Sequence, residues 1–143
     1  MLKKDSSLKP LTEEEIKSRL SPLFEGKRLR LVILFGSAAS GKTHRNSDID
    51  IAFLFEKSVD ILELTNTAIR LLHNDNVDVI DLRRASPLLK FSAVKKGKLL
   101  FEKTPGEFNE FYSLAFRMYV DTQKLRDGHA EFIKNYLKEE GVV

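Results

Sequence analysis

A chain of 143 residues is the size of one ordinary domain, and a hydrophobic content of 42% is enough for a single core. The net charge of +3 is too balanced to indicate nucleic-acid binding, and no apolar run is long enough to cross a bilayer. Cysteine is absent, which excludes disulfides and thiolate metal sites. We expect one soluble, cytoplasmic domain without a signal peptide.

The N-terminal part of the chain is predicted to form a helix followed by a buried strand. Thr12 and Glu15 match a capping box, in which each side chain accepts a backbone N–H at the start of the helix. Pro22 is expected to kink or split this helix, because it has no N–H to donate. The strand Leu29–Phe35 is almost entirely apolar, which predicts a central position in a sheet.

The rest of the chain alternates between predicted strands and helices. In the strand 48–55 the first residues alternate, which places Asp48 and Asp50 on one face. Ser58 is expected to cap the helix that follows. The remaining predicted elements are a strand at 77–82, a short helix from Ser86 to Gly97, an edge strand at Lys98–Glu102 and a helical tail at 106–140.

This order of elements predicts the fold class. It indicates an α/β (α+β) domain, with a small mixed sheet flanked by helices and a C-terminal helical tail. We expect residues 1–143 to form one domain, with its core at about 25–103 and the tail at 106–140.

The loop after the first strand matches a Walker A motif, through Gly36, Gly41, Lys42 and Thr43. In a P-loop, the lysine and threonine open a helix whose N-terminal amides hold the phosphates. Residues 44–48 offer no apolar face for such a helix, and the chain continues directly into an alternating strand. We therefore disfavour the P-loop interpretation.

The same loop matches a second pattern, which the neighbouring residues support. Gly36 and Ser37 are followed after ten residues by Asp48 and Asp50. In this pattern the glycine lets the backbone approach a phosphate, the serine binds it, and the two carboxylates on one face hold divalent metal.

A third carboxylate comes from the strand 77–82. Asp78 lies within an apolar frame, where a carboxylate is costly unless it is paired or metal-bound. Asp81 could compete for this role, but an odd separation along a strand places the two side chains on opposite faces. We prefer Asp78, and three carboxylates from two strands would suit two hard cations with oxygen ligands.

These motifs resemble the signature of the DNA polymerase β-like nucleotidyltransferase superfamily, in its minimal (MNT) branch. The first block contains Gly36, Ser37, Ser47, Asp48 and Asp50, and residues 77–85 resemble the next block. The region 90–102, with the aromatic helix that follows it, is similar to antitoxin members of this branch, which pair with HEPN-domain toxins.

The resemblance implies a mechanism and a set of site residues. Asp48 and Asp50 would bind two Mg²⁺ ions that bridge the phosphates of ATP, and Asp78 would hold the metal nearest the acceptor and help to deprotonate its hydroxyl. Ser37, with the backbone of Gly36, would grip the terminal phosphates. For antitoxin members the implied acceptor is a tyrosine of the toxin, a ribonuclease that AMP transfer would silence.

The sequence also departs from the family pattern. Many relatives carry an arginine shortly after the Gly-Ser pair, where this chain has Ala38, Ala39 and Ser40. Lys42 or Arg45 could supply the missing positive charge. Lys42 and Ser47 complete the predicted nucleotide-binding set.

Two alternatives belong to other classes of function. The same fold could modify a small molecule, as antibiotic nucleotidyltransferases do, although these enzymes usually carry a second domain for which this chain has little length. The chain could also neutralise a toxin by occlusion without catalysis. We expect a HEPN toxin and ATP as partners, with no membrane and no direct nucleic acid.

Overall fold

The computed structural model describes residues 11–36 and 48–141. Five helices and four strands are found in these segments. In chain order they are α1 Glu13–Phe24, β1 Leu29–Phe35, β2 Ile49–Phe55, α2 Ile61–Leu72, β3 Val77–Asp81, α3 Pro87–Lys96, β4 Lys98–Glu102, α4 Glu107–Asp121 and α5 Gln123–Glu139. This agrees with the predicted mixed sheet flanked by helices.

The four strands form one mixed sheet in the order β3-β2-β1-β4. β1 pairs antiparallel with both β2 and β4, and β2 pairs parallel with β3. β1 is therefore a central strand and β4 an edge strand, as predicted. Four consecutive side chains of β1, from Leu31 to Leu34, are buried because the sheet is covered on both faces.

Each face of the sheet has its own apolar cluster. One contains Ile51, Phe53 and Val77 and packs beneath α1 and α2. The other contains Ile33 and Ala52 and packs beneath α3 and α4, which contribute Ala93 and Ala115. Consecutive side chains of a strand point to opposite faces of the sheet. If one residue belongs to the cluster on one face, the residues before and after it therefore point to the other face.

Two predictions about the helices have different outcomes: α1 is one helix that contains Pro22, and the predicted cap of the next helix is wrong. Pro22 lies inside α1 without splitting it. Because Pro22 has no N–H, it cannot donate to the carbonyl of Ser18, and this carbonyl accepts the hydroxyl of Ser21 at 2.8 Å instead. α2 is capped by Asp60, whose carboxylate accepts the N–H of Glu63, and not by Ser58. The Ser58 hydroxyl accepts instead from the guanidinium of Arg83 at 3.1 Å.

The predicted C-terminal tail is two helices that meet at Thr122. α4 buries Ala115 and lies against α3, whereas no residue of α5 is buried. Within the described segments, no helix has both the length and the apolar character that a membrane span requires.

An ion-pair network joins the sheet to α4 at the start of β1. The guanidinium of Arg30 contacts the Glu56 carboxylate at 2.9 Å and the Glu107 carboxylate at 2.7 Å through its Nε. The Arg30 side chain is only 28% exposed, and both carboxylates raise its pKa. This network lies at the end of β1 opposite Gly36.

Candidate functional site

The predicted site carboxylates lie where β1 ends and β2 and β3 begin. Phe35, the last residue of β1, is opposite Asp50 in the antiparallel pair, and Asp50 is opposite Asp78 in the parallel pair. Directly opposite residues on neighbouring strands have their side chains close together on the same face. Phe35, Asp50 and Asp78 therefore form a row across three strands.

This row lies on the face of the sheet that α3 and α4 cover. Asp50 alternates with Ala52, and Asp78 alternates with Ile80, and both apolar residues belong to the cluster beneath these helices. The helices do not cover the row fully, since Asp50 is half-buried and Asp78 is exposed. Asp48, one residue before β2, is exposed as well. The carboxylates are thus open to a ligand.

Gly36 is held against Asp50 by the geometry of the strand end. Its φ of +80° is a conformation that residues with a side chain rarely adopt. A Cβ at this position would collide with Oδ2 of Asp50. The site therefore requires glycine here for two reasons, the backbone conformation and the close approach of the carboxylate.

The electrostatics of the row are unfavourable for an empty site. Burial raises the pKa of Asp50, and the charges of Asp78 and Asp48 and a hydrogen bond with Asp78 raise it further. Among the described residues, no lysine or arginine forms an ion pair with any of these three carboxylates. A cation, or a cationic side chain from outside the described segments, would supply the positive charge that offsets these carboxylates.

The donor set fits a hard divalent cation in its chemistry. All three side chains offer carboxylate oxygens, the ligands that Mg²⁺ takes in proteins, and they leave positions for phosphate oxygens. In the segments that the structure describes, however, no three acidic or histidine side chains are drawn together as a ready metal cluster. Asp50 and Asp78 are directly opposite in the strand pair, and Asp48 lies one residue before β2.

Asp81 lies on the opposite face from the row. It is opposite Phe53, which belongs to the cluster beneath α1 and α2. Its Oδ1 accepts the N–H of Arg83 at 3.0 Å, and its Oδ2 is buried with no hydrogen-bond partner within the described residues. The structure therefore brings Asp78, and not Asp81, beside Asp50.

Three residues of the predicted nucleotide-binding set lie outside the described residues, namely Ser37, Lys42 and Ser47. Gly36 is the one member of that set within them.

Sequence reasoning missed one residue near this end of the sheet. Gly97 was interpreted only as the end of a helix, but a Cβ there would lie 2.5 Å from Cγ2 of Ile33 and would also collide with the carbonyl of Ala93. The carbonyl of Leu34, two residues before Gly36, would be 3.0 Å away. α3 thus meets β1 with no room for a side chain. The signal in the sequence was a glycine between a helix and an apolar strand.

Comparison with known proteins gives three related findings. Residues 14–106 match the family Polymerase beta, Nucleotidyltransferase. The protein adenylyltransferase MntA of Aphanizomenon flos-aquae is 27% identical over 126 residues, which are 80% of this chain and 84% of that protein. A crystal structure of a toxin–antitoxin with AMP-PNP superposes with a TM-score of 0.74 and 34% identity, over 87% of this chain and 99% of the other.

A second solved structure shows a modified toxin. It is the tri-AMPylated HEPN toxin of Shewanella oneidensis in complex with its MNT antitoxin, which matches at a TM-score of 0.71 and 28% identity. This match covers 86% of this chain and 99% of the other. The chain therefore belongs to the polymerase beta nucleotidyltransferase family, as a minimal nucleotidyltransferase of the antitoxin group.

Proposed function

We propose that this chain transfers AMP from ATP onto a tyrosine hydroxyl of a partner HEPN toxin and thereby silences that toxin. The observation that carries the proposal is the row of Asp50 and Asp78 against Gly36, at an open end of the sheet. Relatives with this fold are protein adenylyltransferases, and one is seen beside an AMPylated toxin.

The residues have separate roles in this proposal. The backbone of Gly36, with Ser37, Lys42 and Ser47 from the residues that follow it in the sequence, binds the phosphates of ATP. Asp48 and Asp50 would hold Mg²⁺ at the phosphates, and Asp78 would hold the metal nearest the acceptor and help to deprotonate its hydroxyl. When bound, the metal neutralises the repelling carboxylates and the negative charge that develops on the phosphates.

The proposed transfer exchanges one bond at the α-phosphorus of ATP for another. The tyrosine oxygen forms a bond to the α-phosphorus of ATP, and the bond from that phosphorus to the bridging oxygen breaks. Pyrophosphate leaves with the electron pair of the broken bond. The proton of the tyrosine moves to the carboxylate of Asp78, which is exposed.

Labelled ATP tests this proposal directly. The chain is incubated with α-labelled ATP, Mg²⁺ and the co-encoded toxin, and label on the toxin is followed with time. We expect transfer by the wild type and a loss of at least about 100-fold in Asp50→Asn. Asp81→Asn is the matched control, because it makes the same change on the other face of the sheet and should keep transfer within about twofold.

Neutralisation by occlusion is a second candidate, favoured by the large apolar side chains that α4 and α5 expose. It predicts that Asp48→Asn/Asp50→Asn still binds the toxin and still blocks its ribonuclease activity without transfer of label. Loss of the block with retained binding supports transfer of AMP as the means of neutralisation.

A further inference from the structure

α5 carries an exposed stripe of residues at regular spacing. Leu125, His129, Phe132 and Tyr136 follow one another at intervals of four, three and four residues along the helix. Leu125 is 74% exposed, Phe132 66% and Tyr136 53%. We call these four residues the α5 seam. The average spacing of about 3.7 residues is close to one helical turn, so the four side chains form one stripe along the helix, as on a helix that packs against another element.

Within residues 11–36 and 48–141, no side chain of α5 is buried by another part of the domain. α5 has 17 residues and none of them is buried, although most of the stability of a helix in a protein comes from packing one of its faces. The three large side chains leave roughly 350 Å² of exposed apolar and aromatic surface on one stripe. An exposed patch of this size on a single helix face indicates a binding surface.

A glycine in the middle of the helix lies beside the seam. Gly128 is three residues after Leu125 and four before Phe132, so all three share one side of α5. A Cβ at Gly128 would meet nothing within 4 Å, so packing within the described residues does not require glycine. Glycine within a helix is unfavourable relative to alanine. The missing side chain leaves room for a partner's backbone to come close.

The N-terminal end of α5 is held against the rest of the domain, so the orientation of the α5 seam relative to the domain is fixed. The guanidinium of Arg126 donates to the Tyr119 carbonyl at 2.9 Å and to the Thr122 hydroxyl at 2.7 Å. It also lies 4.0 Å from the centre of the Tyr119 ring, which packs on Phe91 of α3 with ring centres 4.6 Å apart. A partner bound along α5 is therefore held in one orientation relative to the domain that carries the carboxylates.

We infer that the α5 seam is the docking surface for a helix of the partner toxin, packed along Leu125, Phe132 and Tyr136. The inference rests on the proposed function for the identity of the partner. Three observations favour the toxin as occupant. The family match ends at residue 106, before α4 begins; the related antitoxin chains superpose over 99% of their length; and they are seen in complexes with toxin.

The size of the seam is consistent with the core of such an interface. Each partner of a typical specific complex contributes about 800 Å², so the seam supplies the apolar centre and the polar residues around it supply the rim. Aromatic side chains at the centre of an interface contribute most of the binding energy. Phe132 and Tyr136 are the residues of the seam whose loss should weaken binding most.

The test measures binding of toxin to the full chain by calorimetry in EDTA without ATP, so that no transfer takes place. We expect Phe132→Ala/Tyr136→Ala to raise the Kd at least about 30-fold, and Gly128→Leu to raise it as well. Lys134→Ala, on the opposite side of α5, is the matched control and should bind like the wild type. Circular dichroism of each variant checks that α5 is still helical, since the substituted side chains are exposed.

AMP transfer separates this inference from the proposed function. At low toxin concentration the double variant should transfer AMP slowly, and at saturating toxin it should recover wild-type kcat within about threefold, because only docking is weakened. If the double variant binds the toxin like the wild type, the α5 seam is not the docking surface, and the proposed function is unaffected. Seam-dependent binding without any transfer of label by the wild type overturns the proposed function alone. If light scattering shows that the chain dimerises through these residues, the occupant is a second copy and the inference is wrong.

Discussion

Asp50 and Asp78 are directly opposite each other on the parallel strands β2 and β3, which places their carboxyl groups side by side on one face of the sheet. Burial of Asp50 and the charge of Asp78 raise the pKa of Asp50. An ionised Asp50 is therefore repelled by its neighbour unless a positive charge lies beside it. The candidate site is therefore a source of instability that a bound cation would remove.

The stability of the cation-free chain should consequently fall as the pH rises through the raised pKa of Asp50. The ordinary pKa is 3.8, and the folded state holds its proton to a higher pH than the unfolded state does. Between the two values the folded state binds more protons, so the free energy of unfolding decreases as pH rises. Thermal unfolding in EDTA, followed from pH 4 to pH 7, measures this decline.

Asp50→Asn should remove that decline. At neutral pH in EDTA we expect the variant to unfold about 2 °C above the wild type, a small shift because Asp50 is partly exposed and its repulsion is screened. It should also lose most of the stabilisation that Mg²⁺ gives the wild type. Asp127→Asn on α5 removes one exposed charge and should change neither quantity. An equal response of Asp50→Asn and the wild type to Mg²⁺ would contradict a role for Asp50 in metal binding.

Asp78→Asn should separate catalysis from nucleotide binding. Asp78 is the exposed member of the pair, so its loss should lower kcat by about 10²–10⁴-fold, as expected when a general base is removed. Binding of ATP with Mg²⁺ should weaken far less than in Asp50→Asn. Single-turnover transfer and equilibrium nucleotide binding measure the two effects. If both variants weaken nucleotide binding equally, Asp78 acts at the phosphates as Asp50 does and not mainly on the acceptor.

Gly36→Ala should lower both stability and activity. The positive φ costs about 1 kcal/mol with a side chain present, and the new methyl group also has to displace the Asp50 carboxylate. We expect the free energy of unfolding, measured by urea denaturation, to fall by roughly 2–3 kcal/mol, and the rate of AMP transfer to fall at least about 100-fold.

Gly106→Ala provides the matched control for Gly36. Gly106 has a φ of +96°, but a Cβ there would meet nothing within 4 Å. The control should lose only the conformational part, about 1 kcal/mol, and keep its rate of transfer. Equal losses in the two variants would show that the contact with Asp50 has no effect on activity.

Local chemistry made the fold readable from the sequence. The capping box of Thr12 and Glu15 is formed as predicted, and Ser86 caps α3 with Pro87 at its first turn. The alternation around Asp50 predicted a strand with one carboxylate-bearing face, because the period of a strand leaves its side chains two faces only. The same parity argument separated Asp78 from Asp81.

Contacts between distant segments were not readable in this way. Ser58 and Asp60 are both good capping residues, and in the structure Asp60 caps α2 while the Ser58 hydroxyl accepts a hydrogen bond from Arg83, in another part of the chain. The pairing of Asp50 with Asp78 depends on how β3 is set against β2 across α2, for which a single sequence carries no local signal. The collision between Gly36 and Asp50 follows from that same assembly.

Gly97→Ala should test how tightly α3 closes on β1 beside the site. The added Cβ would meet the Ala93 carbonyl, the Leu34 carbonyl and Cγ2 of Ile33, two of which are backbone atoms that cannot rotate away. We expect a loss of about 1–3 kcal/mol, the usual cost of overpacking. Gly128→Ala, where a Cβ has free space, should instead gain up to about 1 kcal/mol from helix propensity. Leu34 lies two residues before Gly36, so Gly97→Ala should also slow AMP transfer by the molecules that remain folded. A wild-type rate in those molecules would show that pairing with β2 alone keeps the end of β1 in position.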